Sequence, residues 1–326
     1  MRVLVTGGAG YIGSHTAKAL ARAGYEPVVL DDFSAGHRWA VRWGPLVEGS
    51  LDSPDLISKA IRDYEVAAVV HFAASLLVGE SMTQPQKYFW NNGVNTLRLL
   101  AAMLAAEVKH IVFSSSAAVY GMPEVVPIPE DHILHPINPY GETKVMMERA
   151  LHWYGVAYGM RFAALRYFNA AGADREGDLG EDHHPETHLV PLVIQAALGQ
   201  RPFVEVYGTD YPTPDGTAIR DYIHVTDLAE AHVLALRYLV DGGESVAMNL
   251  GTGKGYSVRE VVAAVARSNG GRTPPFRDAP RRAGDPPSLV AAPGRASQLL
   301  GWRPEQSDLD NIVRTAWNWH AHHKPT

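Results

Sequence analysis

A tyrosine and a lysine four positions apart are the side chains of this sequence best suited to proton transfer. Tyr140 and Lys144 lie in the segment Asn138-Pro139-Tyr140-Gly141-Glu142-Thr143-Lys144. Asparagine is a favoured helix N-cap and proline a favoured first helical residue, so both side chains are predicted on one face of a helix. A phenol titrates near ~10, and a positive charge beside it must lower that pKa toward neutrality before it can act as a base.

A run of serines, Ser114-Ser115-Ser116, follows an apolar segment that is predicted to be a strand. The carboxyl edge of a parallel sheet is where open α/β proteins bind ligands. Ser116 is therefore a candidate to share a substrate hydroxyl with Tyr140 and to help move its proton. The spacing Tyr-x-x-x-Lys also occurs by chance in ordinary helices, so the prediction depends on what surrounds it.

Three glycines near the start of the chain indicate a nucleotide-binding turn. Gly7, Gly10 and Gly13 follow a strand predicted over Arg2–Thr6 and open the next helix. Glycine permits the tight turn and the close approach of a pyrophosphate, and the helix N-terminus offers free N–H groups to the phosphates. The sequence predicts dinucleotide binding at this end of the sheet.

An acidic pair follows the second predicted strand. Asp31 comes 31 − 13 = 18 residues after Gly13, close to the ~20 expected for a carboxylate that binds the adenosine ribose. Such a carboxylate accepts hydrogen bonds from both ribose hydroxyls and repels a 2′-phosphate, which favours NAD over NADP. The role of Asp32 stays open.

The elements that must position these residues alternate between strands and helices. Strands are predicted over Arg2–Thr6, Pro27–Leu30, Ala67–Phe72, Lys109–Ser115 and around Arg161–Arg166, with a weaker one at Pro45–Glu48. Helices are predicted over Tyr11–Ala23, Pro54–Asp63 and Pro85–Ala106, and from Tyr140. This alternation is typical of the α/β class with a Rossmann-type, doubly wound parallel sheet.

The regular alternation of strands and helices ends after about residue 170. Long loops are predicted over Ala171–His188, Tyr207–Arg220 and Arg272–Pro287, and long loops in compact proteins are usually functional or disordered. We expect an NAD-binding domain over 1–170 and a smaller α/β region over 171–326 that mainly binds substrate, with some segments returning to the first domain.

Composition narrows the class of protein. The chain has 326 residues, 46% of them apolar and 20% charged, a formal net charge of −6 and no cysteine. This balance is that of an ordinary globular protein, without broad attraction to nucleic acid or to anionic membranes. Disulfides and thiolate metal sites are excluded. With no membrane-spanning segment or signal peptide in the pattern, a soluble cytoplasmic protein is expected.

The sequence resembles the extended short-chain dehydrogenase/reductase family, and within it the UDP-glucose 4-epimerases, over Met1 to about His320. The stretches that carry the resemblance are Thr6–His15, His71–Ala74, Val78–Ser81, Asn91-Asn92, Phe113–Gly121, Leu165–Asn169, Tyr207–Val225 and Ala279–Asp285. The resemblance implies an NAD-dependent enzyme that interconverts UDP-galactose and UDP-glucose through a 4-keto sugar, with Tyr140, Lys144 and Ser116 catalytic.

The resemblance also assigns binding residues. NAD contacts fall on Gly7, Gly10, Tyr11, Ile12, Gly13, Asp31, Asp32, Ser50, Leu51, Phe72, Ala73, Ala74, Asn91, Ser114, Tyr140, Lys144 and Tyr167. UDP-sugar contacts fall on Ser116, Tyr140, Asn169, His188, Leu189, Tyr207, Arg220, Arg282, Asp285 and Leu289. For Arg220 the alternative is an ion pair with Asp221, and for Arg282 a solvated loop arginine. Leu289 falls at a position that controls sugar size, and its bulk predicts a preference for sugars without an N-acetyl group.

Several positions depart from the family pattern. Ser50, Leu76 and Ala118 stand where the epimerases commonly have aspartate, lysine and threonine, which removes individual contacts but leaves the catalytic residues intact. The related 4,6-dehydratases place Asp-Glu shortly after the serine or threonine, and this chain has Ala117-Ala118 there. Dehydration is therefore not expected.

Three further expectations concern metals, assembly and alternatives. His183-His184 and the tail His320-Ala321-His322-His323 are interpreted as solvated histidines without carboxylate partners, so no metal is expected. By resemblance, helices carrying Leu99, Leu100, Met103 and Met147 pair in a homodimer. The alternatives left open are an epimerase of another nucleotide sugar, such as an N-acetylhexosamine, a pentose or a uronic acid, a simple NAD-dependent reductase, and a non-catalytic NAD-binding sensor.

Overall fold

The chain was analysed as a computed structural model that describes residues 1–282 and 284–323. The strands in these ranges are β1 Arg2–Thr6, β2 Glu26–Asp31, β3 Leu46–Glu48, β4 Ala68–His71, β5 His110–Ser116, β6 Arg161–Tyr167, β7 Asn169–Ala171, β8 Val204–Tyr207, β9 Ile219–His224, β10 Val246–Leu250, β11 Gly255–Ser257, β12 Phe276–Ala279 and β13 Ser288–Leu289. The α-helices there are α1 Tyr11–Arg22, α2 Pro54–Asp63, α3 Val78–Thr83, α4 Pro85–Tyr88, α5 Asn95–Ala105, α6 Pro139–Tyr158, α7 Leu189–Ala197, α8 Val225–Val240, α9 Val258–Ser268, α10 Gly294–Leu300 and α11 Leu309–His322.

A seven-stranded sheet of order β10-β6-β5-β4-β1-β2-β3 forms the centre of the fold, and its neighbouring strands all run parallel. Its middle strands are covered on both faces, which is why they are nearly continuous apolar runs: Val3, Leu4 and Val5 are all fully buried. The predicted Rossmann-type α/β class is confirmed, and so are the strands predicted in the first 170 residues, to within one or two residues at their ends.

The helix predicted from Pro85 to Ala106 is not continuous. It consists of α4, a wider π-helical turn over Phe89–Val94, and α5. The wide turn carries Asn92, whose Oδ1 accepts a hydrogen bond from Ser75 N (2.7 Å) and whose Nδ2 donates to Ser75 O (3.0 Å). Such turns are frequent at functional sites, and this one holds the segment that follows β4.

The chain after residue 170 builds two small sheets and then returns to the first one. β9 pairs with β7, β11 and β13, while β8 pairs with β12. β10 adds to the edge of the large sheet beside β6, and α8 packs on α1. The predicted loop Arg272–Pro287 therefore contains one short strand, β12. The division into two functional domains stays a prediction.

The side chains expected to form a dimer surface lie in the interior. Leu99, Leu100, Met103 and Met147 are 0–1% exposed and pack in one core cluster of the monomer. Their assignment to an interface is wrong, because the apolar face of α5 packs against α2 and against apolar side chains of the sheet and is not left free.

None of the helices in the described ranges combines the length and the apolar character that crossing a bilayer demands. The cytoplasmic location stays a prediction.

Candidate active site

A large cavity opens at the carboxyl edge of the parallel sheet. Its volume is about 1460 Å³, and strands β1, β2, β4, β5 and β6 all end at its wall. All the residues assigned to NAD line it, as do Ser116, Asn169 and His188 from the substrate set. Parallel strands deliver their carboxyl ends to one edge, so residues far apart in the sequence meet there.

The glycine turn is shaped by contacts that leave no room for side chains. Gly7 has φ +70°, and a Cβ built on it would lie 2.7 Å from the amide nitrogen of Ala73. A Cβ on Gly13 would overlap the carbonyl oxygen of Gly7. The N-terminus of α1 can therefore lie close to the ends of β1 and β4 and present its free N–H groups to the cavity, where a phosphate group fits.

Gly13→Ala should abolish tight retention of a dinucleotide. The added methyl group overlaps the Gly7 carbonyl, so the turn has to open at the point where phosphates approach. We expect at least a ~10-fold loss of bound nucleotide per chain in purified protein, measured by absorbance and chromatography of the released cofactor. Gly294→Ala is the matched control because no atom lies within 4 Å of its Cβ position. Full retention in Gly13→Ala would contradict the assignment.

Asp31 joins the glycine turn to the end of β2. Its Oδ2 accepts a hydrogen bond from Ala9 N and its Oδ1 one from Phe33 N, both at 2.9 Å. Burial raises the pKa of its carboxyl group, and the two backbone hydrogen bonds offset part of this increase. A carboxylate has about four acceptor positions, so capacity remains for ribose hydroxyls in the cavity. Asp32 also lines the cavity and accepts hydrogen bonds from the backbone N–H and hydroxyl of Ser34.

The predicted catalytic residues meet in this cavity. Asn138 caps α6 by accepting a hydrogen bond from Gly141 N (2.8 Å), and Pro139 is the first helical residue. Lys144 is buried, donates from Nζ to Ser114 O (2.7 Å), and lies 5.6 Å from the centre of the Tyr140 ring. Tyr140, Lys144 and Ser116 all line the cavity wall.

The pKa values differ from the sequence expectation. Burial raises the pKa of Tyr140, while a polar contact with the Ser116 hydroxyl lowers it in part. Burial also lowers the pKa of Lys144 to about 7, against the opposing effect of Glu148. The lysine by itself therefore does not bring the phenol toward neutrality, because desolvation weakens the ammonium charge and penalises the phenolate at the same time.

Five of the residues assigned to the UDP-sugar form a separate cluster outside the lining of this cavity. The Arg282 guanidinium lies 4.0 Å from the centre of the Tyr207 ring, Arg220 forms an ion pair with Asp285, and Leu289 pairs with Arg220 in the β13–β9 register. The alternative partner for Arg220 is ruled out, since Asp221 instead accepts hydrogen bonds from backbone N–H groups of 252, 253 and 291. Leu189 begins α7 and packs against the third core cluster.

One group of side chains at the cavity was misjudged from the sequence. His183 is not solvated: its Nδ1 lies 3.3 Å from Glu181 Oε1 and 3.7 Å from Glu186 Oε2. Burial opposes its protonation, but the two carboxylates outweigh that and raise its pKa to about 9. His188, expected to line a uridine pocket, faces the same two carboxylates. The sequence signal for this cluster is the spacing Glu-x-His-x-x-Glu-x-His over residues 181–188, which the neighbouring pair His183-His184 does not reveal.

A buried ion pair beside β5 was also missed. Arg166 donates from Nη2 to Glu148 Oε2 (2.5 Å), and the Ser115 hydroxyl donates to Glu148 Oε1 (2.5 Å). This network connects β5, β6 and α6 next to Lys144, which lies one turn before Glu148 on α6.

Comparisons with known proteins agree with this geometry. A profile described as the NAD dependent epimerase/dehydratase family matches residues 3–251. A UDP-glucose 4-epimerase of Lacticaseibacillus casei is 50% identical over 99% of this chain and 98% of its own length. The crystal structure of UDP-glucose 4-epimerase from Brucella ovis in complex with NAD superposes with a TM-score of 0.94 at 53% identity, covering 97% of each chain.

A third comparison extends to a nucleotide-bound relative. The crystal structure of UDP-glucose 4-epimerase from Bifidobacterium longum in complex with NAD⁺ and UDP has a TM-score of 0.92 at 38% identity and covers 98% of each chain. The profile match spans more than half of the chain, and the likeness to the relatives extends over nearly all of it. This chain belongs to the NAD-dependent epimerase/dehydratase family.

Proposed function

We propose that this protein is a UDP-glucose 4-epimerase, which interconverts UDP-galactose and UDP-glucose with NAD as a retained cofactor. The observation that carries the proposal is that Ser116, Tyr140 and Lys144 share one cavity with the glycine turn and Asp31. The likeness to UDP-glucose 4-epimerases over almost the whole chain supports the same activity.

The cavity suits NAD in shape and chemistry. The turn at Gly7 and Gly13 and the N-terminus of α1 would hold the pyrophosphate, while Asp31 would accept hydrogen bonds from the adenosine ribose. Phe72, Ala73 and Ala74, at the end of β4, leave space for the cofactor to pass. When bound, NAD⁺ supplies the acceptor for the hydride of the sugar C4 and later its donor.

The side chains around C4 transfer and hold the proton. Tyr140 takes the proton of the C4 hydroxyl as general base, and Ser116 accepts and donates hydrogen bonds to the same hydroxyl. Lys144 donates to the Ser114 carbonyl and holds a positive charge near the phenolate. Because burial raises the pKa of Tyr140, its ionisation depends on the positive charge that a complete site supplies. Inversion requires the hydride to return to the opposite face of C4 in the 4-keto sugar, and Tyr140 gives its proton back to the C4 oxygen.

The nucleotide must stay bound while the sugar turns. Binding energy is best placed in groups that do not react, and the second cluster supplies such groups. Tyr207 offers a ring for the uracil, Asp285 an acceptor for its ribose, and Arg220 and Arg282 guanidinium groups for the diphosphate. Asn169, His188 and Leu189 complete the substrate set.

A direct assay tests the activity. Purified protein is incubated with UDP-galactose and no added cofactor, and the products are separated by chromatography. We expect UDP-glucose to form until both sugars reach equilibrium, because NAD is regenerated in each cycle. Accumulation of NADH without UDP-glucose would contradict the epimerase and support a simple reductase. Absence of turnover by nucleotide-loaded protein would support the non-catalytic NAD-binding sensor.

Substrate size gives a further prediction. Leu289 packs against the cluster of Ala117, Val119, Tyr120 and Val145, and the family resemblance implies that its bulk limits the space for a 2-acetamido group on the sugar. We expect Leu289→Ala to raise kcat/KM for UDP-N-acetylglucosamine by ~10-fold or more relative to UDP-glucose. Leu134→Ala, on the same cluster, is the control and should leave the ratio unchanged. Equal kcat/KM for the two sugars in the unmodified protein would contradict the prediction.

A homodimer belongs to the same proposal. The outward faces of the helical segments 85–105 and 139–158 carry exposed apolar side chains: Trp90 is 54% exposed, Trp153 65% and Val156 66%. Exposed apolar patches commonly mark association sites. Sedimentation equilibrium should give twice the chain mass, and Trp153→Glu should shift it toward the monomer.

A further inference from the structure

Four side chains of the segment 181–188 bring their ligand atoms close together, and three of the four residues line the cavity. They are the carboxylates of Glu181 and Glu186 and the Nδ1 atoms of His183 and His188, and these ligand atoms all lie within 4.8 Å of one another. His188 Nδ1 is 2.8 Å from Glu181 Oε1 and 2.9 Å from Glu186 Oε1. His183 Nδ1 is 3.3 Å and 3.7 Å from the same two carboxylates.

These separations match the edges of a tetrahedral coordination shell. Zinc binds imidazole nitrogen and carboxylate oxygen at ~2.0–2.2 Å, so two ligands of a tetrahedral ion lie about 3.3 Å apart. The four nitrogen–oxygen distances, between 2.8 and 3.7 Å, lie on both sides of that value, with His183 facing Oε2 of Glu186 and His188 facing Oε1. Small side-chain rotations would be enough to enclose an ion.

An imidazole nitrogen in the cluster lacks a hydrogen-bonding role. His183 Nδ1 is buried and makes no hydrogen bond, although two carboxylates lie nearby. Buried polar atoms without a partner are rare and call for an explanation. A lone pair of this nitrogen directed at a metal ion would provide one.

Charge leads to the same conclusion. The Glu181 and Glu186 side chains are only 4% and 6% exposed, and two buried carboxylates side by side are costly without positive charge. Across residues 1–282 and 284–323, neither carboxylate forms an ion pair with a lysine or arginine, and the positive charge beside them comes from the imidazoles of His183 and His188. A divalent ion bound by the four side chains would supply that charge instead. The other acidic cluster, Asp174, Glu176 and Asp178, differs because Lys18 Nζ lies 2.8–2.9 Å from all three carboxylates.

We propose that Glu181, His183, Glu186 and His188 bind one divalent transition-metal ion, with Zn²⁺ as the best match. Two imidazoles and two carboxylates suit zinc better than the oxygen-only shells of magnesium or calcium. All four tetrahedral positions are filled by protein, which is typical of structural rather than catalytic zinc.

The position of the site indicates what the ion does. His183 packs edge-on against Tyr11 in the nucleotide-binding turn, with 6.3 Å between ring centres. His188 is the N-cap residue of α7. The ion therefore fastens the loop 181–188 between the cofactor end of the cavity and α7, and stabilises the folded protein by binding only to it.

Metal titration of the intact, tag-free holoprotein tests this. The protein is treated with chelator, exchanged into chelator-free buffer and titrated with ZnCl₂ by calorimetry, with Tm recorded at each addition. We expect one saturable ion per chain and a rise in Tm of at least ~3 °C at saturation. Co²⁺ in place of Zn²⁺ should give the intense visible absorption of a tetrahedral cobalt site.

Matched variants locate the binding. His183→Ala and Glu186→Gln should each weaken Zn²⁺ affinity by ~100-fold or more and remove the Tm rise. His184→Ala should bind like the unmodified protein, since His184 is adjacent in sequence but its side chain is 79% exposed. His322→Ala checks for adventitious binding by the exposed histidine of α11.

The outcomes are distinct. Loss in His183→Ala and Glu186→Gln, with retention in the two controls, supports the site. Absence of saturable binding to the unmodified protein, or binding that is lost only in His322→Ala, overturns it. Should His183→Ala fail to fold, the cobalt spectrum of the unmodified protein and the near-isosteric Glu186→Gln variant still decide. The test does not depend on epimerase activity.

Discussion

Tyr140→Phe should reduce kcat for the conversion of UDP-galactose to UDP-glucose by ~10²–10⁴-fold, the range for loss of a positioned general base. The phenyl ring keeps the shape of the site, so nucleotide retention and Tm should change little. Tyr140 is half-buried at the cavity wall with Ser116 beside it, and it is the group assigned to the proton at C4. Steady-state kinetics and bound-nucleotide content are the two measurements.

Tyr88→Phe is the matched control for this variant. Tyr88 is buried, and its ring lies edge-on to that of Tyr140 with 6.5 Å between centres. Its hydroxyl shares its one proton between Leu77 O and Glu80 Oε2, which lie 2.6 and 2.8 Å away. Its loss should cost stability of about 1 kcal/mol per hydrogen bond and leave kcat within a few-fold. A Tyr140→Phe protein with normal kcat would remove the tyrosine from the mechanism.

Lys144→Met should lower kcat by at least ~10²-fold while stabilising the nucleotide-free protein near neutral pH. Burial lowers the pKa of Lys144 to about 7, compared with ~10.4 in an unfolded chain. Between these values the unfolded state binds more protons, so the lysine makes stability rise with pH. Below about pH 7 both states are protonated, and the buried ammonium destabilises the fold by on the order of a few kcal/mol relative to high pH.

The measurement is Tm of both nucleotide-free proteins from pH 6 to 10. Methionine has similar length and no charge, so the variant should have a higher Tm than the unmodified protein at pH 6–7. The lost hydrogen bond to Ser114 O offsets about 1 kcal/mol of this stabilisation. The two curves should converge as pH rises toward 10. Lys109→Met, at an exposed position, should show neither effect. A lower Tm for Lys144→Met at every pH would show that the buried charge carries no penalty.

The pairing of the two variants separates proton transfer from electrostatics. Tyr140→Phe removes the group assigned to carry the proton. Lys144→Met removes a buried charge that lowers the stability of the fold. Strained or destabilised groups of this kind cluster at active sites. The structure therefore predicts that Tyr140→Phe leaves stability nearly unchanged, whereas Lys144→Met raises it near neutral pH.

Most helices and strands of the first 170 residues could be predicted because their positions depend on the local pattern of apolar, capping and turn residues. Strands buried on both faces are continuous apolar runs, and α6 begins where Asn138 and Pro139 supply cap and first turn. The break in the helix at Phe89–Val94 was missed, since a π turn depends on the contacts of Asn92 with Ser75 rather than on periodicity. The burial of Leu99 and Met103 in the monomer could not be predicted either, because it depends on how α2 and the sheet pack against α5.

The sequence by itself predicted the glycine turn, the acidic residue after β2 and the Tyr140–Lys144 pair, because each depends on spacing within one strand, turn or helix. That Ser116 at the end of β5 meets this pair on α6 depends on the fold. Only the tertiary structure decided which charges meet across loops: Arg220 with Asp285, Arg282 with Tyr207, and the two glutamates with His183 and His188. It also decided that burial raises the pKa of Tyr140 and lowers that of Lys144. Desolvation depends on everything packed around a group, and no local spacing encodes that.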